Sequence, residues 1–381
     1  MDPHSSAVSS SRRGPAATKT DSSRAVLYGL AAGLGAALLF GLSAPLAKRL
    51  LTDTGPLWLA GLLYLGAGLG LSLLRGLGRL WDHGSHSESR LRRQDAPLLL
   101  GITLLGGALA PVLMLLGLRR IDGVAGALLL NLEAPFTILL AVLLFREHLG
   151  RRARLAALLI VGGALSLTGR EAGGAQAAVS PAASWLGGAA LAGACLCWAL
   201  DNNLTQRLSL RDPWAITIVK TLSAGSCNLA LSLVSRQAAP AARVAALAML
   251  VGFLSYGVSL LLDTYALRLL GAAREATIFS TAPFVGALAA VPLLGEHLGR
   301  REGAAFALMA GGVGLLARDR HHHFHVHEML QHEHRHVHDD HHQHDHSPEA
   351  PPGEPHSHAH DHAPLAHEHP HVSDLHHRHR H

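Results

Sequence analysis

Cysteine is nearly missing from this sequence: the three residues, Cys195, Cys197 and Cys227, all sit inside apolar segments. That excludes a disulfide framework, and Cys195-x-Cys197 reads as small buried helix residues rather than a metal or redox pair. Charge is scarce too, at 15% of residues against 49% apolar ones, where soluble domains carry about 25% charged residues. No nucleophile and base stand in a catalytic arrangement, and no phosphate-binding glycine loop follows a strand pattern, so no enzyme is expected. The opening residues, to about Arg24, hold no apolar run, which excludes a cleaved leader. The net charge of +5 with His neutral reads as cytoplasmic loops beside anionic lipid, not as a nucleic-acid surface.

Apolar runs of about twenty residues are what the chain does have, and about twenty residues span the hydrocarbon of a bilayer at 1.5 Å each. Ten are expected: Ala25 to Ala47, Pro56 to Leu74, Pro97 to Leu118, Asp122 to Phe145, Ala153 to Thr168, Ser184 to Gln206, Pro213 to Val234, Val244 to Ala266, Gly271 to Leu294 and Gly303 to Ala317. The fifth and tenth are short. Gly29-xxx-Gly33 and Gly66-xxx-Gly70 place small residues where helices in lipid approach closely.

The chain also repeats itself. Glu133 opens EAPFTILLAVLLFREHLGRR, and Thr281 opens TAPFVGALAAVPLLGEHLGRR. Phe40 to Arg49 aligns more weakly with Trp198 to Arg207, so the repeated unit is five helices long. An odd unit re-enters the membrane inverted, the plan of many secondary transporters. Basic residues gather at Arg12, Arg13, Lys19 and Arg24, at Arg75 to Arg93, and at Arg146 to Arg154, which sets both termini in the cytoplasm. The expected fold is an all-α membrane protein of ten transmembrane helices in two inverted five-helix repeats. Its segments are a disordered N-terminus (1–24), the first repeat (25–169), a linker (170–183), the second repeat (184–317) and a disordered tail (318–381).

A proline-containing fourth helix, a Glu-His-Leu-Gly-Arg-Arg turn and a short Gly-rich fifth helix, all occurring twice, resemble the drug/metabolite transporter superfamily, and within it the EamA-type members. The resemblance covers Leu27 to Ala317. It implies a solute cavity lined by the first four helices of each repeat, with the fifth and tenth peripheral, and export of amino acids, metabolites or drugs from a bacterial inner membrane. Arg146 departs from the pattern, which Gly295 keeps in the second copy.

Polar groups within the spans are the candidates for chemistry, because each is costly in hydrocarbon unless it faces a cavity or a partner. Glu133 lies midway along the fourth helix with Asn131 nearby, and Pro135 frees a backbone carbonyl there. It reads either as a proton- or cation-responsive carboxylate or as a structural one. Asp201, Asn202 and Asn203 on the sixth helix, Lys220 on the seventh, Asp263 on the eighth and Glu275 on the ninth all fall toward the cytoplasmic half. Asp201 and Lys220 lie at similar depth, so an ion pair is expected, as a gate or as a tether. Asp263 and Glu275 have Arg268 and Arg274 as sequence neighbours and read as interfacial pairs. Tyr64 and Trp198 read as packing or interfacial aromatics.

After Arg318 the composition changes, and the tail holds 24 of the 29 histidines. Candidate metal ligands there are His321, His322, His323, His332, His334, His336, His338, His341, His342, His344 and His346, since imidazole suits Zn, Ni, Cu and Co. No single coordination site follows from their spacing, and no cofactor is required. The leading function is secondary transport of a small organic solute across the lipid bilayer. The alternatives are a divalent metal transporter or a metal-buffering membrane protein using the tail. His148 and His297, the histidines near the spans, fall in turns.

Overall fold

In the computed structural model of the chain, the described residues are 19–81, 90–145, 150–168, 180–208, 211–270, 272–318, 321–327, 330–336, 356–362 and 365–371. The helices of the bundle, in chain order, are α1 (Val26–Leu50), α2 (Pro56–Gly78), α3 (Arg93–Leu118), α4 (Gly123–Leu140), α5 (Arg151–Leu167), α6 (Ala182–Thr205), α7 (Pro213–Val234), α8 (Ala242–Leu267), α9 (Arg274–Leu294) and α10 (Arg300–Ala317). Eight of them are long and apolar enough to cross a bilayer. The exceptions are α5, with 17 residues, and α10, which opens on Arg300, Arg301 and Glu302. A 17-residue helix reaches about 26 Å, short of a hydrocarbon layer of about 30 Å. Of the ten expected spans, eight are thus long and apolar enough to cross a bilayer among the described residues, and α5 and α10 are helices that fall short in length or in apolar character. Helical structure begins at Lys19, inside the segment expected to be disordered.

The packing pairs one half of the chain with the other. Helix α1 lies against α8, and in the matching relation α6 lies against α3; α2 packs on α7, α4 on α9 and α5 on α10. Small residues permit these approaches. A methyl group at Gly66 would strike the backbone of Met249, and one at Gly70 the ring of Phe253, so Gly66-xxx-Gly70 is the face α2 turns to α8. Gly163 meets Met309 and the Ala305 carbonyl of α10, while Gly312 meets Ile160 and the Ala156 carbonyl of α5.

Irregular backbone also occurs at matched places. A π-helical stretch spans Thr103–Leu109 in α3, and another spans Phe253–Val258 in α8. Helix α4 tightens to a 3-10 turn at Leu130–Leu132, and α9 breaks at Ser280 and Thr281. Each break lies just before the repeated Ala-Pro-Phe, because Pro135 and Pro283 have no amide to offer the preceding turn. Helix α1 breaks likewise at Leu42, ahead of Pro45. In the repeated turn, Gly295 caps α9 in the left-handed conformation, φ 68°, which glycine adopts without strain. Its counterpart Arg146 lies outside the described residues.

The tail, expected to be disordered, carries β1 (His321–His327), β2 (Leu330–His336), β3 (His356–His362) and β4 (Leu365–His371). β1 pairs antiparallel with β4, and β2 with β3. A His-x-His alternation has the period of an extended strand, and antiparallel pairing draws on backbone groups without needing an apolar core. His338, His341, His342, His344 and His346, residues 1–18 and most of the 170–183 linker lie outside the described residues.

Candidate functional site

The 3-10 turn and Pro135 bring Glu133 out of the regular ladder of α4, and the Thr137 hydroxyl donates to the Glu133 carbonyl at 2.9 Å. The Glu133 side chain is half-buried. Its Oε1 accepts a hydrogen bond from Asn202 Nδ2 of α6 at 2.7 Å. Asn131 turns away from this pair. Its amide donates to the Leu128 carbonyl at 2.9 Å and approaches Met309 Sδ of α10 at 3.9 Å. Asn131 therefore turns toward α10, while Glu133 turns toward α6. Positions i and i+2 of a helix point about 200° apart at 3.6 residues per turn, so Asn131 and Glu133 leave α4 on different faces.

One residue before Asn202, Asp201 forms the expected ion pair with Lys220 of α7. Asp201 is buried, and Thr205 Oγ1 reaches its Oδ1 at 3.5 Å. The Asp201 carboxylate packs directly on Gly106, where a side chain would displace it. Gly106 lies in the π-helical stretch of α3, and its carbonyl accepts from Tyr64 Oη at 2.9 Å and from Trp198 Nε1 at 3.1 Å. Tyr64 and Trp198 are thus buried packing aromatics that complete the bonding of an irregular carbonyl. Asn203 donates to Ala199 within its own helix at 2.8 Å.

An aromatic wall continues from this cluster. The rings of Tyr64 and Tyr256 lie 5.5 Å apart, Tyr256 and Phe40 5.8 Å, and Phe40 and Phe279 5.1 Å. Tyr256 stands in the π-helical stretch of α8, and its buried hydroxyl lacks a well-formed hydrogen bond.

Asp263 and Glu275 lie apart from Glu133's group and turn to each other. Their carboxyl groups lie close to each other across α8 and α9, and Asp263 Oδ1 is left without a hydrogen-bond partner. Among the described residues the ion pairs include Arg75–Asp212, Arg211–Asp95 and Lys220–Asp201; the side chain of Arg268, an expected partner of this pair, lies outside the described ones. Of the tail histidines named as metal ligands, His321, His322, His323, His332, His334 and His336 fall in β1 and β2.

Two residues escaped the sequence reading. Lys48 is buried, and its Nζ donates to the carbonyls of Leu118, at 2.9 Å, and of Ile121. Glu296, the acid of the second repeated turn, accepts from the amides of Gly123 at 2.6 Å and Val124 at 2.7 Å. The recurrence of Glu-His-Leu-Gly was the available signal for Glu296; nothing in the sequence separated Lys48 from an exposed loop cation.

The pattern of the EamA-like transporter family matches residues 27–169 and 185–318. An uncharacterized transporter of Methanothermobacter thermautotrophicus is 30% identical over 299 residues, covering 76% of this chain and 86% of that protein. A solved structure described only as a crystal structure of protein superposes with a TM-score of 0.54 at 19% identity, covering 77% of this chain and 98% of its own.

Proposed function

The chain belongs to the EamA-like transporter family, and from that premise we propose that it moves a small organic solute across a membrane by alternating access. The observation that carries the reading is the charge balance around Glu133. Asp201 and Lys220 neutralise each other, while Glu133 has the uncharged amide of Asn202 as its hydrogen-bond partner. A carboxylate within a membrane span that has no cationic partner favours a proton or a cation at its side. Glu133 is therefore read as the group that takes the solute's cationic end and a proton in turn, with the partly exposed rings of Phe40 and Phe279 receiving the solute's apolar body. The two copies are read as inverted in a bacterial inner membrane, with both termini in the cytoplasm. Transport outward is the direction adopted.

The test is exchange in proteoliposomes driven by a pH gradient, scored by the protons that purified protein releases as candidate organic amines are added. Glu133→Gln should abolish pH-driven exchange while leaving a monodisperse protein. Exchange that survives the substitution would remove Glu133 from this role. The rival reading, a divalent metal as the transported species, rests on the tail. Flux of Zn, Ni or Co that survives truncation at Ala317 and needs Glu133 would favour it.

A further inference from the structure

Helices α4 and α9 are each buried on one side of their breaks and open on the other. In α4, every residue from Gly123 to Leu132 is buried, whereas from Glu133 to Leu140 Pro135 alone is. In α9, no residue from Arg274 to Thr281 is buried, whereas Ala282, Phe284, Gly286 and Ala287 are. The less buried halves carry Glu133 and Glu275 among apolar residues such as Ile138, Leu139 and Ile278. The buried halves meet at one end of the bundle, where Glu296 follows α9 and Gly123 begins α4. The molecule is therefore shut at that end and open toward the other.

What shuts it is specific. The turn between α3 and α4 is gripped from two sides by opposite charges. The Lys48 ammonium, from the second segment of α1, takes the last carbonyls of α3 and the turn. The Glu296 carboxylate, from the turn after α9, takes the first two amides of α4. Each charge meets the helix end whose dipole favours it, and each bond is charge-assisted. Asp122, within the gripped turn, lies close enough to Lys48 to attract it, as does Glu296. Just below, the Gly41 carbonyl packs against Gly286 and would clash with any larger side chain there.

We infer that Lys48 and Glu296 form a detachable latch, the gate at the end of the molecule bearing the α3–α4 and α9–α10 turns, and that the structure is the state in which this gate is closed. The inference rests on the alternating-access reading, since a latch of this kind has a use only if it opens. Both charges grip the same backbone turn and come from opposite halves of the chain, so releasing either one frees α1 or α9 to move away from α4.

The test reads opening directly and needs no substrate. Val124, buried behind the latch, is replaced by cysteine, and labelling by a membrane-impermeant maleimide is followed in nanodiscs against the background of the native cysteines. Lys48→Met and Glu296→Gln should each speed labelling of that cysteine by about tenfold to a hundredfold, the scale of losing a charge-assisted hydrogen bond. Arg119→Ala, removing an exposed charge from the same turn, should leave the rate unchanged. If either latch variant fails to purify as a monodisperse species, Lys48→Arg or Glu296→Asp replaces it with the same readout. Unaltered labelling in the latch variants, or an equal rise with Arg119→Ala, overturns the latch. Loss of exchange in Glu133→Gln bears on the transport reading alone, so the two can fail separately.

Discussion

Asp263 on α8 and Glu275 on α9 set their carboxyl groups close to each other, and Asp263 Oδ1 has no hydrogen-bond partner. Two carboxyl groups can bond to each other only while one of them holds a proton, because an ionised carboxylate has no donor. Ionising both would set two like charges close together with no basic group in an ion pair to either among the described residues. The stretch of α1 packed alongside, from Gly29 to Phe40, has no titratable residue, and the adjoining α10 brings Arg318 at its far end.

The first prediction follows from that pair. Raising the pH strips the shared proton, so the thermal midpoint of the purified protein should fall as the solution becomes alkaline. Glu275→Gln keeps a donor for Asp263 without needing the proton, and it should flatten this dependence. A midpoint whose pH profile is the same in both proteins would rule out a proton held between the two carboxyls.

Asp201 and Lys220 give a second prediction. Removing one member of a buried pair strands the other, at a cost of about 3–5 kcal/mol. Lys220→Ala and Asp201→Ala should each lower the thermal midpoint and abolish exchange. The double variant with Lys at 201 and Asp at 220 should recover much of the loss, whether the pair acts as a gate or as a tether. Absence of any rescue would argue that the two groups do not act through their mutual contact.

Glycine packing supplies a third. A methyl group at Gly252 of α8 would enter the backbone of Leu63 in α2, so Gly252→Ala should destabilise by about 1–3 kcal/mol. Gly314 of α10 has open space around it. Gly314→Ala should therefore be neutral or stabilise by about 0.5–1 kcal/mol, the helix propensity gained. Thermal midpoints of the two variants, measured side by side, check the sign of each effect.

The tail yields a fourth. The histidine-rich residues are the candidate metal ligands, so calorimetry should find Zn and Ni binding in the full protein and its loss in a chain ending at Ala317, while organic-solute exchange persists. Equal metal binding by both chains would relocate the ligands to the bundle.

Much of the bundle was legible beforehand because its signals are local and strong. Apolar length located α7 at Pro213–Val234 to the residue, and similar depth anticipated the Asp201–Lys220 pair. Side-chain direction was less legible. Asn131 and Glu133 look like neighbours in sequence, yet positions two apart on a helix face different ways, and one reaches α10 while the other reaches α6. Asp263 and Glu275 have arginines close in sequence, yet the approach of α8 to α9 sets their carboxyl groups near each other. Lys48 was the hardest, because its ligands are backbone carbonyls about seventy residues away, and backbone acceptors leave no mark in a sequence.

In the alignment of Phe40–Arg49 with Trp198–Arg207, Ser43 occupies the place of Asp201 and Lys48 the place of Gln206. Duplication thus left two frameworks with different charges at matched places. A symmetric carrier would rest equally often facing either side. Here one end is held by a buried ammonium that the matched position of the other copy lacks, so the two resting populations are unequal by construction. Exchanging Lys48 for Gln is then a change to the carrier's idle orientation, separable from any change in what it recognises.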